Sequence, residues 1–126
     1  MTTRIISTDK APAAIGPYSQ AVADAHTLYC SGQIGLNPVT GELVEPFEAQ
    51  AHQAFSNLKA VIEAAGGKLE NVMKLTIFLS SMDDFPVVND IMCKYFAAPY
   101  PARSCFAVAA LPKGARVEVE AIVHLA

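Results

Sequence analysis

The spacing of hydrophobic residues divides the chain into strand-like and helix-like segments. Near the N-terminus TRIIS is typical of a short strand, whereas AVADA and TLYCSGQIGL predict two strands that turn near His26. Between the first and second of these strands, DKAPAAIGPYSQ has the Pro and Gly density of an ordered loop. The first third of the chain is therefore predicted to contain three strands and one long loop.

Two later segments carry apolar residues at helical spacing. From Phe47 to Ala65 these residues recur every three or four positions, and the Gly66-Gly67 pair predicts the end of this helix. The stretch DDFP predicts the start of a second helix, with an aspartate as cap and a proline in the first turn. Its apolar stripe continues to Phe96, just ahead of Pro99.

The remaining segments complete the fold prediction. NVMKLTIFLS is rich in β-branched and aromatic residues, and ARSCFAVAA and ARVEVEAIVHL are predicted as two final strands. The order βββαβαββ predicts a single α+β domain over residues 1–126, with two helices covering one face of a mixed sheet. The opposite face would expose Val, Ile and Ala from several strands, which favours self-association.

Composition and charge exclude several classes of protein. The net charge of −3 comes without a basic block, so nucleic acid is an unpromising partner. The N-terminus has no apolar targeting core and no apolar run reaches about 18 residues, which predicts a soluble, unsecreted protein.

The cysteines and histidines favour neither disulfides nor a metal site. Three cysteines without CxxC spacing fit a reducing cytoplasm, and the histidines lie on unlike elements without the spacing of ligands. We therefore expect Cys30 and Cys93 to be small core residues and the histidines to have packing or surface roles. Cys105 is considered with Arg103 below. The residues concerned are Cys30, Cys93, Cys105, His26, His52 and His124.

The stretch PARSC places an arginine and a cysteine two positions apart on a predicted strand. Because alternate residues of a strand lie on one face, Arg103 and Cys105 would share a face, as would Glu118 and Glu120 on the last strand. Two interpretations of Arg103 stay open. It pairs with Glu118 or Glu120 across neighbouring strands, or its guanidinium holds the carboxylate of a ligand through two parallel hydrogen bonds.

Four motifs, GPYSQA, SGQIGLNP, YPARSC and LPKGARVEVEAIV, occur in that order. On these motifs the chain resembles the Rid (YjgF/L-PSP) family, and within it the RidA subgroup, from Lys10 to Val123. The resemblance implies a chorismate-mutase-like fold and a homotrimer with ligand clefts between subunits. It also implies cofactor-free hydrolysis of 2-imino acids, or of enamine tautomers such as 2-aminoacrylate, to 2-oxo acids and ammonia.

The resemblance also implies roles for individual residues. Arg103 would bind the substrate carboxylate and Glu118 would be the acid/base group. The residues that would line the cleft are Tyr18, Ser31, Gly32, Asn89 and Cys105.

Several of these residues also have a structural alternative. Tyr18 would anchor a loop, Asn89 would be solvated, and Cys105 would be a packing residue; a nucleophilic Cys105 would need an activating base that the sequence does not place beside it. Glu120 would be a structural partner of an arginine or of a neighbouring subunit.

Two other functions remain open at this stage. Some family members are described as endoribonucleases, translation inhibitors or chaperones, although this chain has no tryptophan and no basic stripe for RNA. A trimeric module that binds a carboxylate metabolite without catalysis would use Arg103 equally well. Glu118 favours catalysis over such a module.

Overall fold

The computed structural model describes residues 3–126, which form six strands and two α-helices in the predicted order. The elements are β1 (Thr3–Ile6), β2 (Ala21–Asp24), β3 (Thr27–Ile34), α1 (Phe47–Ala64), β4 (Val72–Leu79), α2 (Phe85–Met92), β5 (Ala102–Ala107) and β6 (Val117–His124). The turn at His26 and the end of α1 before Gly66, which has φ of 87°, confirm the predictions for these segments.

The strands form one mixed sheet in the order β1-β2-β3-β6-β4-β5. All neighbouring pairs are antiparallel except β4 and β5, which run parallel because α2 connects them. Both helices lie on one face, where α1 packs against β3 and β6 and also contacts α2. The core between sheet and helices includes fully buried Phe55, Leu58, Leu75 and Val119.

Two element boundaries differ from the prediction. α2 ends at Met92, although its apolar stripe continues, because residues 93–96 form tighter turns such as the bond from the amide of Tyr95 to the carbonyl oxygen of Met92. β5 ends at Ala107, three residues before the predicted end, and the chain then turns away from β4.

No helix of the described part of the chain covers the second face of the sheet. It is less aliphatic than expected, since Tyr29 and Phe106 are about half exposed there and charged side chains such as Glu120 lie among them. Phe106 stacks edge-on against Phe78 of the neighbouring strand. We call this surface the open face.

Within residues 3–126, neither α-helix combines the length and apolarity needed to cross a bilayer.

Candidate functional site

An irregularity in β3 brings Glu118 close to the backbone on the open face. The register between β3 and β6 shifts between Cys30 and Gln33, which makes Ser31 and Gly32 a bulge. A Cβ atom added to Gly32 would lie 2.7 Å from the carboxyl carbon of Glu118. Only glycine at this position therefore lets the carboxylate lie against the strand.

The carboxylate of Glu118 lines a cavity of about 660 Å³ on the open face. One wall is the loop that carries Tyr18, and another is formed by the turn around Lys113. The hydroxyl of Ser31 donates a hydrogen bond of 2.6 Å to the carbonyl oxygen of Ser19, so it ties the bulge to this loop. Ser31 and Gly32 both line the cavity.

The surroundings of Glu118 favour its protonated form. Partial burial raises the pKa of Glu118, and the negative charge of Glu120 on the same face raises it further. A carboxyl group with a raised pKa exchanges protons more readily near neutral pH than an ordinary glutamate does. This property suits a group that must both accept and return a proton.

Arg103 lies on the other face of the sheet, against α2. Its Nη1 atom donates a hydrogen bond to Oδ1 of Asn89 and lies 3.6 Å from the sulfur of Met92. The guanidinium carbon is 5.3 Å from the centre of the Phe85 ring, in a cation–π arrangement. Phe85, Asn89 and Met92 follow one another at i, i+4 and i+7, so one face of α2 holds the guanidinium.

Arg103 has no carboxylate partner among residues 3–126, where the only salt bridge joins Arg116 and Asp84 at 2.8 Å. The interpretation that Arg103 pairs with Glu118 or Glu120 in the same chain is therefore wrong. β4 lies between β5 and β6, and Arg103 is paired with buried Leu75 on the helix-covered face.

The cysteines differ from one another in environment. Cys105 shares the face of Arg103, as predicted, and packs against the core. Burial raises the pKa of the Cys105 thiol and the nearby Arg103 only partly opposes this, so the group is a poor nucleophile. Burial raises the pKa of Cys30 to about 12, as expected of a core residue. Cys93 was expected in the core as well, but it is exposed at the end of α2.

The structure divides the residues implied by the resemblance into two groups. The base half consists of Tyr18, Ser31, Gly32 and Glu118 around the cavity on the open face. The anchor half consists of Asn89 and Arg103, which line a cavity of about 400 Å³ with Tyr100, and Cys105 lies on the same strand face. The two halves lie on opposite faces of one sheet, so a single chain does not bring them together.

Sequence reasoning missed Phe85 and Met92 as partners of Arg103. Their helical spacing relative to Asn89 was visible, but nothing in the sequence indicated that this face of α2 meets β5. Among residues 3–126, no group of three or more His, Cys, Asp or Glu side chains is arranged to hold a metal ion.

Comparison with known proteins confirms the resemblance. The family model described as Endoribonuclease L-PSP matches residues 8–125. A protein of Dermatophagoides farinae named 2-iminobutanoate/2-iminopropanoate deaminase is 55% identical over 121 residues, which cover 95% of this chain and 94% of that protein.

Two solved structures extend the comparison to the fold. RidA from an Antarctic Psychrobacter species has a TM-score of 0.95 at 52% identity, covering 97% of this chain and 99% of its own. TdcF of E. coli with bound serine has a TM-score of 0.94 at 40% identity, covering 98% and 99%. The α+β fold, a mixed sheet with two helices, is thus the architecture of these relatives.

Proposed function

Because the chain belongs to the Rid family, whose family model is described as Endoribonuclease L-PSP, we propose that it is a hydrolytic deaminase of 2-imino acids. Its substrates would be 2-iminobutanoate, 2-iminopropanoate and the enamine 2-aminoacrylate, and its products 2-oxo acids and ammonia. The observation that carries this proposal is that one chain bears both a guanidinium, Arg103, with no carboxylate partner among residues 3–126 and a carboxylate, Glu118, with a raised pKa.

We place the reaction in a cleft between two copies of the chain in a homotrimer. The anchor half of one copy would face the base half of the next. Repeated around a three-fold axis, this head-to-tail contact closes into a ring. The exposed aromatic residues Tyr29 and Phe106 of the open face support such an assembly, since contact between copies would cover them.

Arg103 would bind the substrate carboxylate. Its hydrogen bonds to Asn89 and Met92 involve Nη1, which leaves Nε and Nη2 to donate in parallel to a carboxylate. Phe85 and Asn89 fix the guanidinium plane before the substrate arrives, so little conformational freedom is lost on binding. The substrate is then held with its imine carbon directed away from the anchor half.

Glu118 would activate the water that attacks this carbon. It accepts a proton from the water as the oxygen bonds to the carbon of the protonated imine, and a carbinolamine forms. It then returns that proton to the nitrogen, ammonia leaves with the C–N bond electrons, and loss of the hydroxyl proton gives the 2-oxo acid. The raised pKa of Glu118 lowers the cost of holding the proton between these steps.

Binding of a carboxylate metabolite without catalysis is the alternative function. TdcF, whose structure contains bound serine, shows that a relative accommodates an amino acid. Arg103 serves either function, whereas Glu118 is required only for hydrolysis. Nothing in either half favours RNA cleavage, and a cytoplasmic location stays a prediction.

The first test measures release of 2-oxobutanoate when a threonine dehydratase generates 2-iminobutanoate in situ. The wild type should accelerate release, and Arg103→Ala should abolish the acceleration because the carboxylate is no longer held. Arg4→Ala, on exposed β1, is the matched control and should keep full activity. If the wild type binds 2-oxobutanoate without accelerating release, the binding-module function is correct instead.

The second test asks whether the two halves act across copies. Arg103→Ala and Glu118→Gln chains carrying different tags are co-expressed, and assemblies containing both are purified. In a head-to-tail trimer, every mixed assembly has one cleft with both halves intact, so activity should recover to about one third of wild type. Mixed trimers as inactive as either parent would refute the shared cleft.

A further inference from the structure

Residues 9–19, which we call the tyrosine loop, form one wall of the cavity at Glu118. The loop has no helix or strand, and it carries Ile15 and Tyr18, which are 84% and 53% exposed. Its own backbone contributes the bond from the amide of Tyr18 to the carbonyl oxygen of Gly16. A loop of this length with so little internal bonding needs another source of order.

The side chain of Gln20 supplies that order. Although glutamine is usually a surface residue, Gln20 is only 3% exposed. Its Oε1 atom accepts a hydrogen bond of 2.7 Å from the amide of Thr8, and its Nε2 atom donates to the carbonyl oxygens of Thr8 at 3.0 Å and Pro12 at 2.7 Å. A longer contact of 3.5 Å reaches the carbonyl oxygen of Ala11.

Gln20 also connects the loop to the bulge beside Glu118. Its backbone carbonyl accepts a hydrogen bond of 2.9 Å from the amide of Ser31, next to the bond from the Ser31 hydroxyl to Ser19. One residue therefore joins the beginning of the tyrosine loop to the backbone that faces the carboxylate. A change in the Gln20 amide would alter the position of the loop without touching Glu118 itself.

We propose that Gln20 is a positioning residue that holds the tyrosine loop against the cavity and thereby sets the affinity for the substrate. The inference rests on the proposed function, in which Tyr18 contacts the bound imino acid. Gln20 does not touch the substrate in this account. It acts through the loop, so its loss should weaken binding more than it slows the chemical step.

The test compares Gln20→Leu with the wild type. Leucine keeps much of the side-chain volume but leaves the backbone groups of Thr8 and Pro12 without partners, so they should turn to water as the loop opens. If the loop stays in place in only about a tenth of the molecules, the Kd for 2-oxobutanoate and the KM for 2-iminobutanoate should each rise about tenfold. The value of kcat should stay within about twofold, because bound substrate still meets Glu118.

Two further variants separate this role from a merely structural one. Gln20→Glu keeps the acceptor but turns a carboxylate oxygen toward carbonyl oxygens, so it should open the loop as Gln20→Leu does. Gln50→Leu is the matched control, since Gln50 is a buried glutamine that bonds the backbone of Val44 and of Arg116, neither of which belongs to the tyrosine loop. It should lower the free energy of unfolding while leaving Kd and KM nearly unchanged.

Hydrogen exchange gives a readout that does not depend on turnover. In Gln20→Leu, the amides of Thr8 and Tyr18, which donate to Gln20 and Gly16, should exchange at least tenfold faster, whereas those of α1 should keep their wild-type rates. Unchanged exchange in the loop, or a change in kcat with constant Kd and KM, would overturn the inference. If the wild type lacked hydrolase activity, the proposed function would fail, and exchange and Kd would still decide the role of Gln20.

Discussion

Gly32→Ala tests directly whether the position of the Glu118 carboxylate determines the rate. The added methyl group would lie 2.7 Å from both Cδ and Oε2 of Glu118 and 3.0 Å from Cγ. Ordinary carbon contacts begin near 3.4 Å, so the carboxylate must withdraw by about 0.7 Å. The obstructing atoms are the end of a flexible side chain, so the backbone can remain where it is.

The size of the effect follows from this displacement. A misplacement of about 1 Å in a reacting group can cost roughly 100-fold in rate, so we expect kcat to fall about 30-fold. Stability should change little, because alanine restricts the unfolded chain more than glycine does, by roughly 0.5–1 kcal/mol, and this offsets the local crowding. The variant should therefore be folded and assembled but slow.

The assay is the coupled dehydratase reaction, run on Gly32→Ala, Glu118→Gln and the double variant, with thermal unfolding as the check on folding. If alanine acts by moving Glu118, it should cause no further loss once Glu118 is glutamine. A kcat within threefold of wild type would refute the argument that the close approach matters. If Gly32→Ala lowers kcat as much in the Glu118→Gln background as it does in the wild type, Gly32 acts through its own backbone instead.

Three further predictions concern the charges and the thiol around the two halves. Glu120→Gln removes the negative charge that, together with burial, raises the pKa of Glu118, so this pKa should fall. The acidic limb of the pH profile of kcat/KM should then move to lower pH. A limb that stays at its wild-type pH would contradict this. Phe85→Leu removes the ring beside Arg103, a cation–π contact of roughly 0.5–1 kcal/mol. The KM should therefore rise about two- to fivefold with little change in kcat. An equal loss in kcat would contradict a role confined to binding. Cys105→Ala should keep at least about a tenth of wild-type kcat in the steady-state assay, because the raised pKa keeps the thiol protonated. A variant that is folded but inactive would instead point to a covalent step.

Much of the fold could be predicted because its elements follow simple periodicities. The alternation VEVE placed Glu118 and Glu120 on one face, opposite buried Val117 and Val119, as the structure confirms. The 3.6-residue period of α1 likewise identified its buried face. Such patterns depend on neighbours along the chain, which the sequence displays directly.

The arrangement of the strands could not be predicted in the same way. β5 and β6 follow one another in sequence but are separated by β4 in the sheet, so the pairing of Arg103 with Glu118 or Glu120, one of the two interpretations left open, fails. The salt bridge of Arg116 with Asp84 was missed because it joins residues 32 positions apart. Contacts of this kind depend on tertiary packing, which no local spacing records.

The order of the tyrosine loop was predicted from its Pro and Gly content, but its cause was not. Gln20 stands next to the apolar start of β2 and would ordinarily be taken as a surface residue. Its burial becomes understandable only when the four backbone atoms that it contacts are known. A buried amide leaves no periodic signature in a sequence.

The placement of the anchor half and the base half on opposite faces makes the protein modular for engineering. Residues of α2 and the segment around Tyr100 could be redesigned to accept bulkier imino acids without disturbing the packing of Gly32 against Glu118. Mutations at Gly32 and around Glu118, outside the tyrosine loop, could in turn be screened for rate while recognition stays constant. Substrate range and reaction rate would then be two traits of one short gene that laboratory evolution can select separately.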